Sequence, residues 1–163
     1  MPRSNASDSD AVERIASMRR MTAEDLPAAR TLLSHLGYVL EAHELHDRYQ
    51  AVAQSADHTL LVAEEDGSVV ALCHIYARPA LDKPPEAVVQ ALVVARAHQG
   101  KGIGKRMIAA AERWAAARGF TSVSLASHVS RSDAHAFYEG LGYQRAATSH
   151  LFRRTIQMRK HQD

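Results

Sequence analysis

The fold is decided by the stretch Gln99-Gly100-Lys101-Gly102-Ile103-Gly104-Lys105-Arg106, which connects an apolar run ending near Val94 to a helical pattern beginning near Gly102. Glycines let the backbone approach a ligand closely and turn its N–H groups toward it. The start of a helix adds about half a positive charge at the same place. The sequence therefore predicts an anion site between a strand and a helix, and phosphate is the ligand that suits it.

The charges around this loop oppose the simpler view that its glycines only make a tight turn. A helix start that binds nothing favours Asp or Glu in its first turn, whereas this one carries Lys101, Lys105 and Arg106. Residues 87–111 contain no Asp or Glu, and Arg96 adds another cation. A bound anion resolves this conflict, and the number of cations favours a ligand with several phosphate charges.

Two common phosphate motifs do not fit the loop. A P-loop needs a glycine, four residues and then Gly-Lys-Ser/Thr, and neither Gly100 nor Gly102 begins such a run. A Rossmann fingerprint reads Gly-x-Gly-x-x-Gly, whereas Gly100, Gly102 and Gly104 are evenly spaced by two. The loop therefore belongs to another class of anion site.

The apolar periodicity places this loop in a mixed α/β fold. Before the loop it first predicts a short strand at 15–21 and two helices, one between a Thr22/Asp25 capping box and Gly37 and one at about 41–54. It then predicts strands at 59–63 and 69–77, joined by a turn at Asp66-Gly67. A loop at 78–85 and a buried strand at 87–94 follow. After the loop it predicts a helix at 102–118 with the apolar stripe Ile103, Met107, Ala110, Trp114 and Ala117, a strand at 121–126, a helix at 133–141 and a last extended stretch to about Ile156. This order predicts a sheet with both antiparallel and parallel strands.

The composition is typical of one soluble domain. The chain has 163 residues, of which 46% are hydrophobic and 23% charged, and we expect a frayed tail at 1–14 and a single domain at 15–163. The 20 Lys and Arg nearly balance the 18 Asp and Glu, so charge does not indicate nucleic acid or membrane as a partner. The single cysteine excludes an intramolecular disulfide, and no apolar run reaches the about 20 residues of a membrane helix. These features predict a cytoplasmic protein.

Two separate motifs carry a family resemblance. One is Gln99 to Gly104, which fits the pattern Gln/Arg-x-x-Gly-x-Gly/Ala at each position. The other is the stretch Ala134-His135-Ala136-Phe137-Tyr138-Glu139-Gly140-Leu141-Gly142-Tyr143. Together, separated by a helix and a strand, they resemble the acetyl-coenzyme A loop and the later helix of the GNAT superfamily of N-acetyltransferases. The resemblance extends over about residues 15–156 and is strongest from Val88 onward.

This resemblance implies a GNAT-like acyl-CoA N-acyltransferase fold whose mixed sheet opens beside the 88–94 strand to admit acetyl-coenzyme A (acetyl-CoA) as cosubstrate. It assigns binding of the pantetheine arm to the backbone of Leu92, Val93 and Val94. It assigns binding of the pyrophosphate to the amides of Gln99, Gly100, Lys101, Gly102, Ile103, Gly104 and Lys105. Backbone edges and inward-turned loop amides are chemically suited to these two tasks.

The resemblance also implies the reaction. A primary amine would attack the thioester directly, and Tyr138, at the family's usual position, would donate a proton to the departing thiolate. A small-molecule amine such as an aminoglycoside or a polyamine is favoured as partner, with a peptide or protein amine as the second choice. Acceptor specificity is expected in residues 36–49 and 78–85, because such loops vary on a fixed scaffold. A homodimer is left open.

Two departures from the family leave the proton acceptor open. The strand position that commonly carries a Glu is Gln90, which cannot accept a proton. The usual Asn before the later helix is Arg131. The candidate bases are Glu86 at the start of the strand, His74, His128 and water. Because Gln90 replaces the carboxylate, a non-catalytic acetyl-CoA-binding regulatory module is the alternative to an enzyme.

Two further features favour structural roles. The pair His43-x-x-His46 lacks a third and fourth ligand at a suitable spacing, so no metal is predicted. Cys73 alternates with the apolar residues Ala71 and Ile75 on one strand face. This position predicts a core thiol and not a nucleophile.

Overall fold

A five-stranded sheet runs through the first part of the chain. In the computed structural model, which describes residues 16–157, its strands are β1 (Ser17–Arg20), β2 (His58–Glu65), β3 (Ser68–Arg78), β4 (Glu86–Val94) and β5 (Val123–Leu125). They lie side by side in sequence order. The pairs from β1 to β4 are antiparallel and the pair β4/β5 is parallel. The predicted mixed sheet is confirmed.

The helices begin and end close to where their local signals predict. They are α1 (Leu26–Ser34), α2 (Ala42–Ala53), α3 (Ile103–Ala117) and α4 (Ser132–Gly140), with short 3-10 turns at Ala23–Asp25 and Arg96–His98. The predicted capping box of Thr22 and Asp25 is present before α1. No helix in the described part of the chain is both long and apolar enough to span a membrane.

The hairpin between β2 and β3 turns at Asp66-Gly67, as predicted. Asp66 has φ 51° and Gly67 has φ 77°, so both central residues are in the left-handed region that two-residue hairpin turns need. This turn, together with a register shift between Ala63 and Glu64, sets the register that pairs His58 with Tyr76 and Leu60 with His74.

The described residues form two compact units, the first ending at Ala126 and the second beginning at Ser127. The first holds the sheet with α1, α2 and α3, and the second holds α4. The proposed tail at 1–14 lies outside the described residues. The division into one domain at 15–163 stays a prediction.

The sheet of the first unit is buried on both faces. One face carries a core cluster with α1 and α2, made of Met21, Ala29, Leu32, Leu45, Val62, Leu72 and Val93. Successive strand residues point to opposite faces of the sheet. The other face is also fully buried, as shown by Ala63, Ala71, Cys73 and Ile75. Helix α3 lies against β3 and β4.

The buried stripe of α3 differs from the predicted one. Its buried residues are Ile103, Met107, Ile108, Ala111 and Ala115, so the prediction was wrong for Ala110, Trp114 and Ala117. Met107, Ala111 and Ala115 are four residues apart, so the small side chains of Ala111 and Ala115 lie on the helix side that faces the sheet. The ring of Trp114 lies at the flank of the helix, where it stacks on Phe120 at 6.4 Å between centroids.

The extended stretch predicted up to about Ile156 is not a strand. The described residues 143–157 form no helix or strand, and the large apolar side chains Leu151, Phe152 and Ile156 are exposed. A strand requires a neighbour that pairs with its N–H and C=O groups. The apolar pattern of a segment does not provide that neighbour.

A buried carboxylate fixes the start of α1 to the sheet. Asp25 accepts hydrogen bonds from Nη1 and Nη2 of Arg19 at 2.7 and 2.9 Å and from the backbone N–H of Thr22 at 2.8 Å. Arg19 also donates to Glu64 on β2. The bonds from Arg19 hold the pKa of Asp25 below its ordinary value, although desolvation acts in the opposite direction.

We expect Asp25→Asn to lower the free energy of unfolding by about 2 kcal/mol at pH 7, since it removes charge-assisted bonds from a buried site. A depressed pKa in the folded state stabilises the fold above the unfolded-state pKa of about 4 and loses this effect as the pH falls through the folded-state value. Urea unfolding should therefore give a constant gap between wild type and variant from pH 7 to pH 5 and a narrowing gap below pH 4. Asp47→Asn, at an exposed carboxylate, is the control. A gap that stays the same at pH 2.5 would contradict the charge argument.

Candidate active site

The edge of β4 that faces β5 is only partly paired. Strand β5 pairs with Ala87, Val88 and Val89, and its pairing stops there, although β4 continues to Val94. Gln90 is exposed, whereas Ala91 and Leu92 are half-buried. The second half of β4 therefore presents backbone N–H and C=O groups along an open edge, where an amide-containing chain can add hydrogen bonds as a strand would.

A β-bulge lies where this open edge begins. His74 on β3 pairs with Ala91, and the next residue, Ile75, pairs with Val89, so Gln90 is the extra residue on β4. A bulge leaves one residue outside the ladder and redirects the backbone around it, and such irregularities are common beside active sites. Gln90, which stands where the family commonly has a Glu, is therefore the bulged residue.

A short 3-10 turn, Arg96–His98, connects the open edge of β4 to the glycine loop. Gly100 and Gly102 have φ 77° and 79°, a left-handed conformation that a residue with a side chain adopts only with strain. Gly102 is the N-cap of α3, provides no side-chain cap, and is followed by a first turn without acidic residues. A Cβ atom built on either glycine meets no heavy atom within 4 Å. Free helix N–H groups, open space and nearby cations together fit a diphosphate.

Glu65, at the end of β2, supports this loop, and sequence reasoning missed it. Its Oε2 lies 2.5 Å from Nδ1 of His98 and 3.9 Å from Nζ of Lys101. Glu65 connects the β2/β3 hairpin to the segment that leads into the glycines. The contact joins residues 33 positions apart in the chain, and no local pattern marks it.

Glu86 lies at the first residue of β4 within a cluster of cations. It accepts a short hydrogen bond from Nη2 of Arg78 and lies 3.3 Å from Nζ of Lys83. Desolvation raises the pKa of Glu86, but hydrogen bonds from Arg78, Ser124 and Lys83 outweigh it, so this pKa lies below its ordinary value. The carboxylate is therefore ionised at neutral pH. Nε of Arg78 is buried without a hydrogen-bond partner among the described residues.

The candidate histidines are in different surroundings. His74 lies on β3, on the same sheet face as Arg78 and two residues from Tyr76, with Nε2 at 2.8 Å from Nδ1 of His58. His128 belongs to the second unit, is exposed, and contacts Oγ of Ser130 at 2.7 Å.

Tyr138 lies on α4 in the second unit and is half-buried. Its ring makes edge contacts with Phe137 at 5.1 Å and with Tyr143 at 5.9 Å. Arg131, which replaces the usual Asn, is the N-cap of this helix. The proton-donating role of Tyr138 stays a prediction.

The structure confirms Cys73 as a core thiol. The residue has no exposed surface, and burial raises the pKa of its thiol to about 12, so it is not a thiolate nucleophile at neutral pH. The described residues contain no group of three or more His, Cys, Asp or Glu side chains that could hold a metal ion.

Comparison with known proteins decides the family. The family model described as "Acetyltransferase (GNAT) family" matches residues 18–143. The chain belongs to this family. The match includes the open edge of β4, the glycine loop and the Tyr138 helix, so the predicted family, fold class and acetyl-CoA-dependent N-acetyltransferase activity are confirmed.

Individual relatives agree with this membership. An uncharacterized N-acetyltransferase, YhdJ of Bacillus subtilis (strain 168), is 29% identical over 141 residues, which are 85% of this chain and 98% of the relative. The solved structure of aminoglycoside N-acetyltransferase AAC(6')-Iy in complex with CoA has a TM-score of 0.79 at 18% identity and covers 89% of this chain and 99% of that one. A transcriptional regulator from Bacillus halodurans C-125 has a TM-score of 0.79 at 21% identity, over 85% of this chain and 99% of that chain. These two likenesses concern the fold.

Proposed function

We propose that this chain transfers the acetyl group of acetyl-CoA to a primary amine of a small polar molecule, of which aminoglycosides and polyamines are examples. The observation that carries the proposal is the open edge of β4 from Gln90 to Val94, which a short 3-10 turn connects to the glycine loop. An edge for an amide-containing arm beside a cradle for a diphosphate matches the two ends of coenzyme A.

In this proposal the chain's backbone holds the cosubstrate. Backbone groups of the segment Leu92, Val93 and Val94 bind the pantetheine arm, through Leu92 and Val94, whose N–H and C=O groups face the open edge. The amides of residues 99–105 bind the pyrophosphate, with Lys101 and Lys105 adding charge. Acetyl-CoA supplies the acetyl group as an activated thioester. A backbone N–H at the open edge, such as that of Val94, stabilises the negative charge that develops on the carbonyl oxygen.

The acceptor site in this proposal lies along the sheet face that carries Arg78 and Glu86. Glu86 holds Arg78 and Lys83 at this face, and the remaining N–H groups of these two side chains donate hydrogen bonds to polar groups of the acceptor. Tyr38, Val39 and Leu81 are strongly exposed apolar residues in the two segments expected to set specificity. A polar acceptor with several hydrogen-bonding groups fits these features, and an aminoglycoside acetyltransferase is among the structural neighbours.

The chemistry requires removal of one proton and addition of another. An amine with a pKa near 10.4 is only about one part in a thousand deprotonated at neutral pH, so a proton must leave before or during attack. The proposal assigns protonation of the departing thiolate to Tyr138. The lowered pKa of Glu86 makes this carboxylate a weak base, so the proposal gives it no part in proton removal.

The test is thiol release by the purified chain with acetyl-CoA and a panel of aminoglycosides, polyamines and lysine-containing peptides. We expect acceptor-dependent thiol release with at least one small polyamine or aminoglycoside, and mass spectrometry should find one added acetyl group on its amine. Reactions without amine provide the background rate. If only the peptides are acetylated, the acceptor is a peptide or protein amine and not a small molecule. Tight acetyl-CoA binding with no acceptor-dependent thiol over the whole panel would favour the non-catalytic regulatory module.

A further inference from the structure

Two imidazoles form a directly bonded pair inside the first unit. Nδ1 of His58 lies 2.8 Å from Nε2 of His74, so one ring donates an N–H to the lone pair of the other. The ring of Tyr76 stacks on His58 at 5.2 Å between centroids and fixes its plane. Two neutral rings joined in this way can pass a proton from the outer nitrogen of one to the outer nitrogen of the other.

Burial keeps His74 uncharged at neutral pH. Desolvation and the Coulombic effect of His58 lower the pKa of His74 to about 4. The titratable or charged groups on this sheet face are Arg19 from β1, His58 and Glu64 from β2, Tyr76 and Arg78 from β3 and Glu86 from β4. Helix α2 adds Tyr49, Asp25 before α1 is paired with Arg19, and the core residues of α1 are apolar. A base that stays unprotonated at neutral pH is always available to accept a proton.

The two ends of the pair reach different places. His74 pairs with Ala91, next to the bulged Gln90 where the open edge of β4 begins. His58, the first residue of β2, lines a cavity of about 360 Å³ away from β4, whose polar lining includes Arg20, Gln54, Ser55 and Arg118. This volume holds several water molecules, each of which takes about 30 Å³.

We propose that His74 accepts the proton of the acceptor amine and that His58 passes it to water in this cavity. As the C–N bond forms and the C–S bond breaks, the amine proton moves to Nδ1 of His74. The proton on Nε2 of His74 moves to Nδ1 of His58, and the proton on Nε2 of His58 moves to a cavity water. Both rings end neutral, and exchange with water restores their first tautomers. The thiolate takes its proton from Tyr138, which regains one from water. A neutral amine therefore reacts with no net change in protons, whereas an ammonium acceptor first loses one proton to water, and that proton is the net release.

The His58/His74 pair has a nitrogen that can accept the proton of the amine, which the other candidate bases lack. Gln90, at the position of the family's common carboxylate, has no basic atom, and Glu86 is committed to Arg78 and Lys83. A free amine is far more basic than His74, but its nitrogen becomes strongly acidic once it is bonded to the acyl carbon. A weak, permanently neutral base is therefore sufficient at that point.

The inference rests on the proposed function, and its test uses the best amine found for the wild type. We expect His74→Gln to lower kcat about a hundredfold, near the lower end of general base effects, while the affinity for acetyl-CoA and the melting temperature stay unchanged. His58→Gln should lower kcat less, by about tenfold, and should move the acid limb of the kcat profile to higher pH, because the Coulombic lowering of the His74 pKa is lost.

Chemical rescue separates a proton relay from a structural role. His58→Ala leaves a space beside the cavity, and added imidazole should restore kcat in this variant in proportion to its neutral form. The matched control is His35→Gln, an exposed histidine after α1, which should change neither kcat nor its pH profile. If His74→Gln does not fold, the rescue of His58→Ala still decides the matter.

The outcomes of the proposal and of the proposed function are distinct. An active wild type whose His74→Gln and His58→Gln variants keep full kcat, or whose His58→Ala variant ignores imidazole, overturns the relay and leaves the acetyltransferase assignment intact. A wild type that releases no thiol with any amine overturns both.

Discussion

Gly102→Val is expected to abolish measurable acetyl-CoA binding, with a loss of affinity of a hundredfold or more. Gly102 has φ 79° and caps α3, and valine is among the residues that tolerate this conformation least. The added side chain enters the open space at the helix start, where phosphate oxygens must approach the backbone. Losing two charge-assisted hydrogen bonds at about 1.5–3 kcal/mol each is sufficient for a hundredfold effect. Calorimetric titration of acetyl-CoA measures it.

Gly119→Val is the matched control for this variant. Gly119 follows the other end of α3, has φ 82°, and its built Cβ also meets nothing within 4 Å. Both variants carry similar backbone strain, of about 1–3 kcal/mol, and should lose similar melting temperature, but only Gly102→Val should lose acetyl-CoA affinity. Lys105→Ala should weaken binding moderately, and less so at high salt. Unchanged affinity in Gly102→Val would remove the glycine loop from the binding site.

Short-range signals in the sequence predicted most of the fold. The Asp66-Gly67 turn, the Thr22/Asp25 capping box and the residues 99–104 each act within a few positions of the chain, so their local conformations could be inferred directly. The resemblance of two motifs then placed these elements in one family, since a fixed order of strand, loop and helix leaves few topologies.

Features that depend on register or long-range contact could not be inferred in this way. The bulge at Gln90 arises only when β4 is aligned with β3, and the His58/His74 pair requires the register of the hairpin. The support of the loop by Glu65 joins two segments through a side chain. Helix α3 carries alanines on several sides, so the apolar pattern alone did not show which of them face the sheet. Each case depends on packing and not on local propensity.

Tyr138→Phe is expected to lower kcat about a hundredfold, near the low end of the range for general acids. A thiol with a pKa near 8.5 leaves as a moderately stable anion, so protonation by the tyrosine accelerates its release without being indispensable. Phenylalanine keeps the edge contacts of the ring with Phe137 and Tyr143. Acetyl-CoA affinity and melting temperature should therefore change little, and the loss should appear in kcat and in kcat/KM alike.

Tyr143→Phe provides a matched control, because the ring of Tyr143 contacts that of Tyr138 in the same aromatic cluster. Its kcat should remain within about twofold of the wild type, far from the hundredfold expected for a lost general acid. The measurement requires conditions in which chemistry limits turnover, which a single-turnover experiment with excess enzyme provides. If Tyr138→Phe then retains the wild-type rate, Tyr138 is only a packing residue of α4, and the thiolate departs without a proton from this helix.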